Sequence, residues 1–466
     1  MKIAILHYHL RPGGVATVIR RQIEALDGRA ELLVVSGEEP PAPFGVPVSI
    51  VPGIGYDSAG SVGDPAAVAG EILAVIRERF GGDCDAIHVH NPTLKKNSRF
   101  LAVLRRLRDS GANLFLHVHD LAEDGRPDSF FSGEAYPEDC HYGVLNGRDY
   151  AALRSAGLAN EGLHLLFNSV SPLKNVTRPD KPSGAVYPVR AIRRKNIGEA
   201  LLLSLFLPPG ETLKITLPPT SPRDFPGYEA WKAFSRSRSL PVRFDAGLES
   251  SLESVLSEAR CVVTTSLKEG FGFAFLEPWT AGIPVVGRRL EAVCPDFEAE
   301  GVRFSGLYSS IEVPRSLYSA DRFERQWRDM AEERYRSFGR PIDDQTAQGL
   351  FGRNYAPDSL DFGSLDEESQ GEVIDSLIAD TKFRDALVAQ NPFLESLFLA
   401  EDPALVANND RVIRDRYSLE RYRDLLLETY GRVRDRPVRQ AIDREALLDF
   451  FLQGEPWRPI ASGGYR

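Results

Sequence analysis

The chain has 466 residues, 42% hydrophobic and 26% charged, with 56 Lys and Arg against 66 Asp and Glu. That profile excludes a wholly disordered chain, a collagen and a small disulfide scaffold, and the length exceeds what one hydrophobic core normally serves, so two domains are expected. A net charge of −10 argues against nucleic acid as a partner, because phosphate neutralisation calls for a basic excess.

In the first half, short apolar runs alternate with helical patterns. Strands are predicted over Lys2–Leu6, Glu31–Val35, Ala86–Val89, Leu114–Val118, Gly143–Leu145 and Leu163–Phe167. Helices are predicted over Val15–Leu26, Ala66–Arg79 and Leu94–Arg108. Strands separated by helices of this length imply right-handed βαβ units and a parallel sheet covered on both faces. A polar, proline-bearing linker follows at Pro172–Pro182, and the alternation then restarts. The second series has strands at Ala185–Val189, Leu213–Leu217, Val242–Phe244, Cys261–Thr265 and Pro284–Val286. Its helices fall at Ile197–Phe206, Tyr228–Phe234, Leu248–Glu258 and Phe273–Ala281.

From about Phe304 to Ala400 the pattern is helical, charged and irregular, an insertion or long decoration. Helical periodicity returns at Val406–Asp415 and Leu419–Tyr430, and the last apolar stretch, Ala441–Phe451, is expected to pack back on the first domain. The expected division is therefore 1–175, 183–435 with its insertion at 304–400, and a C-terminal helix within 436–466. Two doubly wound α/β domains would face each other across a cleft, and ligands of open α/β sheets bind outside the carboxyl ends of the strands.

Cys84, Cys140, Cys261 and Cys294 are far apart and form no CxxC or Cys/His pairing, which fits a reducing compartment and offers no metal framework. The opening residues lack the apolar core and cleavage site of a signal peptide, and the run near Leu201–Leu207 is too short to span a bilayer. A cytoplasmic location is expected. The basic residues of the Leu94–Arg108 segment read as a solvated face over an apolar stripe in preference to a membrane contact.

The most informative stretch runs from Leu267 to Val286. A strand ends in a loop carrying Glu269, Gly270-Phe271-Gly272 lets backbone approach a ligand closely, a helix is expected to open there, and Glu277 follows eight residues after Glu269. An ordinary helix N-terminus decorated with acids is the competing reading. With its flanking Ala281-Gly282-Ile283-Pro284-Val285-Val286, the stretch resembles the Glu-x7-Glu motif of retaining glycosyltransferases with the GT-B fold, of the large family-four group. The resemblance implies that Glu269 lies by the donor sugar hydroxyls and Glu277 takes the ribose hydroxyls. An ionised carboxylate can accept two hydroxyl hydrogen bonds without a metal. Pro278 departs from the alanine usual in the family and forces the helix to start late or bend.

Residues Tyr187–Gly198 resemble the family's Gly-Arg-x4-Lys-Gly signature, with Arg190 and Lys195 at the expected spacing and Val189 and Asn196 where glycines are usual. The resemblance assigns those two cations to the donor diphosphate, stabilising the charge that grows on the leaving group in place of a metal ion. Arg193 and Arg194 read as solvated. Arg11–Thr17 resembles the family's Gly-Gly-Val loop, which implies that Gly13 and Gly14 approach the donor phosphates. Leu116–Pro127 carries a strand-end His-Asp like the family's: His119 would face the reacting sugar and acceptor, while His117 sits deeper. Asp120, Glu123, Asp124 and Arg126 would line the acceptor side.

The resemblance thus implies a retaining, metal-independent hexosyltransferase using a nucleoside diphosphate sugar as co-substrate and a hydroxylated small molecule as acceptor, with no cofactor. His119, Arg190, Lys195 and Glu269 would be its catalytic residues. A sugar phosphorylase of the same fold, a more distant nucleotide-sugar epimerase and a catalytically silent sugar-nucleotide binding module stay open. Donor base, acceptor identity and oligomeric state are not specified by the residues.

Overall fold

The computed structural model describes residues 1–60, 63–355, 359–399, 402–453, 458 and 460. They form two compact units, Met1–Ser169 with Tyr417–Gly454, and Val170–Arg416 with Glu455–Arg466.

In the first unit, β1 (Lys2–His7), β2 (Glu31–Ser36), β3 (Val48–Ile50), β4 (Ala86–His90), β5 (Leu114–Val118), β6 (His141–Val144) and β7 (Leu163–Leu165) form a parallel sheet in the order β3-β2-β1-β4-β5-β6-β7. The strands read as continuous apolar runs because both faces are covered. Along β1, Ala4 and Leu6 join the core under helices Pro65–Phe80, Phe100–Asp109 and Arg444–Gln453, while Ile3 and Ile5 face helices Gly14–Leu26 and Leu419–Asp435. Each buried Ile or Leu contributes about 1.5–3 kcal/mol relative to exposure.

Local signals set the helix ends. Asp64 accepts hydrogen bonds from the Ala66 and Ala67 N–H groups, Pro65 takes the first helical position, and Gly81 closes the helix at φ 68°. The third helix starts at Phe100, not Leu94, because the Asn97 side chain instead bonds the Gly53 and Gly55 carbonyls at 2.9 and 2.7 Å and accepts from the Arg99 N–H. Its apolar stripe is buried, while Arg105 pairs with Glu134 and Arg108 with Asp109, so this face is occupied within the unit.

In the second unit, β8 (Ala185–Arg190), β9 (Leu213–Leu217), β10 (Val242–Arg243), β11 (Cys261–Thr264), β12 (Val285–Arg288) and β13 (Leu307–Tyr308) form a second parallel sheet, ordered β10-β9-β8-β11-β12-β13. The 304–400 region supplies β13, an antiparallel pair β14 (Glu312–Pro314) and β15 (Ser359–Asp361), and helices Ala320–Ser337, Asp344–Asn354, Glu367–Ala379 and Thr381–Gln390.

The sequence pattern divides the chain at 435, whereas the structure divides it at Arg416/Tyr417. The reason lies in helix Leu419–Asp435, whose buried Tyr422, Leu426, Tyr430 and Val433 belong to the first unit's core. Strand order reverses between β1 and β4 in one sheet and between β8 and β11 in the other, and these switch points are where ligands of such sheets bind. Among the described residues no helix is long and apolar enough to cross a membrane.

Candidate active site

At the second unit's switch point, two loops are knitted together. The loop after β8 makes a 3-10 turn over Arg193–Lys195 and enters helix Ile197–Ser204 through Asn196 at φ 52°. The Lys195 carbonyl accepts from Tyr187 Oη at 2.8 Å and Thr265 Oγ1 at 2.9 Å, and Leu267 N donates to the Arg194 carbonyl at 2.9 Å. This backbone clamp brings Lys195 onto Glu269: Nζ donates to Oε1, and Arg194 Nη1 reaches Oε2 at 3.2 Å and the Lys268 carbonyl at 2.5 Å. The Lys195 and Glu269 side chains are 13% and 12% exposed. Burial alone would raise the Glu269 carboxyl, but Lys195 and Arg194 outweigh it and hold it below the usual range. Burial pulls the Lys195 ammonium down, partly offset by Glu269.

Arg194, expected to be solvated, is therefore part of the cluster. Arg190 ends β8 exposed, and among the described residues its guanidinium makes no ion pair. The helix expected after Gly272 is replaced by two 3-10 turns, Phe273–Phe275 and Glu277–Ala281. Gly272 at φ 90° and Pro278, which has no N–H, prevent a continuous α-helix, so this segment adds no α-helix dipole of its own. Glu277 opens the second turn, half-buried. The Phe271 ring packs on Phe297 and Phe273 in the core, leaving only its backbone to face a ligand, and Gly270 is half-buried between it and Glu269.

The insertion reaches this loop from behind. The fully buried Arg288 forms forked hydrogen bonds with Glu199 (2.8 and 2.6 Å) and Asp361 (2.8 and 2.7 Å). Asn196 donates to Glu199 at 2.7 Å and accepts from Gln370 at 2.9 Å. Asp361 and Gln370 come from the 304–400 segment, so that segment braces the turn that carries Lys195.

At the first unit's switch point, histidines dominate. His88 and His90 on β4 lie beside His117 and His119, on and just beyond β5, and all four are buried. His119 Nε2 is 2.7 Å from His90 Nδ1; His90 Nε2 is 3.0 Å from Gln22 Oε1; and Gln22 Nε2 donates to Tyr422 Oη at 2.9 Å. A second chain links Tyr430, His88 and His117 at 2.8 and 3.0 Å. Burial lowers His119 and His7 to about 3 and keeps His88, His90 and His117 neutral as well. The Asn91 side chain accepts from the His119 and Asp120 N–H groups and so fixes the strand-end backbone.

The residues expected on the acceptor side are satisfied within the unit. Asp120 pairs with Arg126 at 2.5 Å, and Asp124 with Arg148 at 2.9 Å. Glu123 is fully buried against Tyr136 at 3.0 Å and Arg444 at 3.3 Å, and cannot touch a ligand. Instead, it ties the C-terminal helix to this sheet. Gly13 and Gly14 line a cavity of about 140 Å³ with His7, His9, Arg11, Tyr56 and Lys96. Gly13 is extended (φ 173°) and Gly14 has open space where a Cβ would be, so nothing inside the protein requires glycine at either position.

No protein-family model matches the chain. A curated relative, a mannosylglucosyl-3-phosphoglycerate synthase from Petrotoga mobilis, is 26% identical over an alignment 315 residues long that covers 59% of this chain and 62% of that protein. The chain thus matches less than two thirds of that relative's length. Among solved structures, Anabaena HepE in complex with UDP and glucose superimposes with a TM-score of 0.52 at 14% identity, covering 92% of this chain and 99% of that one. Sucrose-phosphate synthase from Thermosynechococcus elongatus gives 0.51 at 14% identity, covering 93% and 98%. The chain has a GT-B fold.

Within this GT-B chain, His88, His90 and His117 bring ring nitrogens within 4.8 Å of one another. His88 and His90 are stacked, with centroids 4.2 Å apart and planes 21° from parallel. A metal binds a nitrogen lone pair in the ring plane at about 2.0–2.1 Å, and planes so nearly parallel do not meet that close. The trio as folded does not suit a shared ion. Sequence reasoning missed Arg194, Asn91 and the Gln22–His90 pair; the signal for the last was the matched His-x-His spacing at the ends of two strands.

Proposed function

We propose that the chain is a retaining hexosyltransferase that moves a hexose from a nucleoside diphosphate sugar to a hydroxyl of a small acceptor without a metal. The observation that carries this reading is the Lys195–Glu269–Arg194 cluster at the second sheet's switch point, with exposed Arg190 at the end of the neighbouring strand. The UDP complex of the structurally similar HepE supports a nucleotide-sugar donor.

In this reading, Arg190 and Lys195 bind the diphosphate and stabilise the charge that develops as the glycosidic bond breaks. Glu269 accepts from the sugar hydroxyls while orienting Lys195, and Glu277 accepts from the ribose. The open backbone of Gly13 and Gly14 admits close approach of a ligand oxygen. With its pKa held near 3, the His119 imidazole is a poor general base at neutral pH, where an effective base would titrate near the working pH. The acceptor proton therefore passes to the departing phosphate oxygen on the same face, and His119 acts by hydrogen bonding.

The acceptor carries an acidic group. The product named for the Petrotoga mobilis relative is a phosphorylated acid, and the 140 Å³ cavity offers Lys96, whose ammonium has no partner among the described residues, beside Arg11, which is paired with Glu38. Four unpaired cysteines are consistent with a cytoplasmic setting.

The test incubates purified protein with panels of nucleotide sugars and of neutral and acidic hydroxyl acceptors, following nucleotide release and the anomeric configuration of the product. Acceptor-dependent release with retained configuration is expected, fastest with acids. An inverted product overturns the retaining assignment, phosphate-dependent cleavage of a glycoside makes the chain a phosphorylase, and binding without turnover makes it a binding module.

A further inference from the structure

We propose that Gln22 and His90 are positioning residues that fix the tautomer of His119, so that its open Nδ1 carries a lone pair and accepts a hydrogen bond from a substrate hydroxyl. The inference rests on the proposed transferase reading only for what His119 meets; the relay itself stands on geometry.

The direction of the relay follows from donor and acceptor chemistry. The Gln22 amide lies with its nitrogen donating to Tyr422 Oη at 2.9 Å and its carbonyl oxygen toward His90. A carbonyl can only accept, so His90 Nε2, 3.0 Å away, carries the proton. A neutral imidazole has one N–H, so His90 Nδ1 is bare and accepts from His119 Nε2 at 2.7 Å. That leaves His119 Nδ1 as the unprotonated nitrogen, and among the described residues no group partners it. His119 is 6% exposed, so little besides that edge is accessible.

Every link is held from outside the pair. Gln22 sits fully buried on helix Gly14–Leu26, and Tyr422 on helix Leu419–Asp435. Asn91 pins the His119 backbone at 2.8 Å, and His117 packs against the His119 ring with centroids 4.5 Å apart. The surrounding rings of His7, His88 and His117 are all neutral by burial, so no nearby cation reverses the order. Were the Gln22 amide turned end for end, every proton in the chain would shift and His119 would present an N–H instead.

The decisive measurement is a long-range 1H–15N correlation spectrum of the full chain labelled with 15N-histidine, recorded without substrate, with His90 and His119 assigned from His90→Gln and His119→Gln spectra. The expected result is protonated Nε2 and bare Nδ1 for both residues; a protonated Nδ1 on His119 overturns the relay whatever the activity. In Gln22→Lys, the donor-only ammonium should invert both tautomers and lower kcat about tenfold, the cost of one misdirected hydrogen bond, with the thermal midpoint monitored to separate loss of fold. Inverted tautomers with unchanged kcat would overturn the hydroxyl-accepting role while leaving the relay standing. A His119→Ala variant with wild-type turnover would overturn the substrate contact while leaving the relay and the transferase reading standing; no turnover by the wild-type chain with any donor and acceptor would be the failure of that reading.

Discussion

Replacing Glu269 by glutamine tests whether this carboxylate doubles as the counter-ion of the cations proposed to bind the donor. Glutamine keeps the shape and one acceptor oxygen but removes the charge, leaving the ammonium of Lys195 beside the guanidinium of Arg194 with no anion between them. Breaking a fully buried pair costs about 3–5 kcal/mol. Here Arg194 is 36% exposed and screened by solvent, so a loss of roughly 2 kcal/mol is expected. Lys195→Met should destabilise less, because Glu269 keeps Arg194 at 3.2 Å. Turnover should fall about a hundredfold in each variant, near 2.7 kcal/mol of transition-state stabilisation. Nucleoside diphosphate affinity should move in opposite directions: up in Glu269→Gln, where two cations lose their internal anion, and down in Lys195→Met. Urea unfolding, titration calorimetry with the diphosphate and a nucleotide-release assay read the three quantities. Equal weakening of diphosphate binding by both substitutions would refute the idea that Glu269 competes with the ligand for these cations.

Acid should loosen the first unit before the second. All eight histidines lie between His7 and His164, and the buried ones at the switch point have folded pKa values below the unfolded 6.5, about 3 for His7 and His119. Between those limits the unfolded chain binds protons that the folded chain does not. The stabilisation is therefore complete above pH 6.5 and declines as pH falls toward 3. Three of the four tryptophans, Trp231, Trp279 and Trp327, belong to the second unit, so far-UV circular dichroism should change near pH 5 while the fluorescence from these three holds; coincident transitions would count against this. Arg288→Met should cost about 3 kcal/mol, because buried Glu199 loses its cation and keeps only hydrogen bonds from Asn196 and Tyr308 while Asp361 keeps Arg458, and should weaken diphosphate binding through the Asn196 turn. A loss under 1 kcal/mol in urea unfolding would show that the buried cluster is not what holds the turn.

The parallel strands were legible because burial on both faces writes them as unbroken apolar runs: Leu114–Val118 and Leu213–Leu217 have the predicted bounds. β3 escaped because it is three half-buried residues with no apolar run. The pairing of Lys195 with Glu269 brings together two residues singled out in the sequence, but the conformation of the second loop was not legible: Pro278 and the left-handed Gly272 turned the expected helix into 3-10 turns. Acceptor-side acids misled for a physical reason. A carboxylate after a strand looks free when its partner is remote in sequence, and Arg444 is 321 residues from Glu123. Helix Leu419–Asp435 was placed with the wrong sheet because an amphipathic stripe states that a face is buried, not against what.

The two switch points differ in kind, and the difference constrains the chemistry. One is lined by imidazoles that burial keeps uncharged, the other by two cations sharing a carboxylate held below its usual range. A neutral histidine near pKa 3 and a carboxylate already paired with Lys195 and Arg194 are both weak bases, so neither would accept the acceptor's proton for long at neutral pH. A leaving phosphate becomes more basic as its bond to the sugar breaks, and cations beside it lower the cost of that charge. On the proposed reading, proton transfer and bond breaking are thereby coupled on one face of the sugar. A flat kcat profile between pH 6 and 9, with no step assignable to His119 or Glu269, is the signature of that coupling; a single ionisation near 7 that disappears in His119→Gln would mean that the imidazole titrates after all.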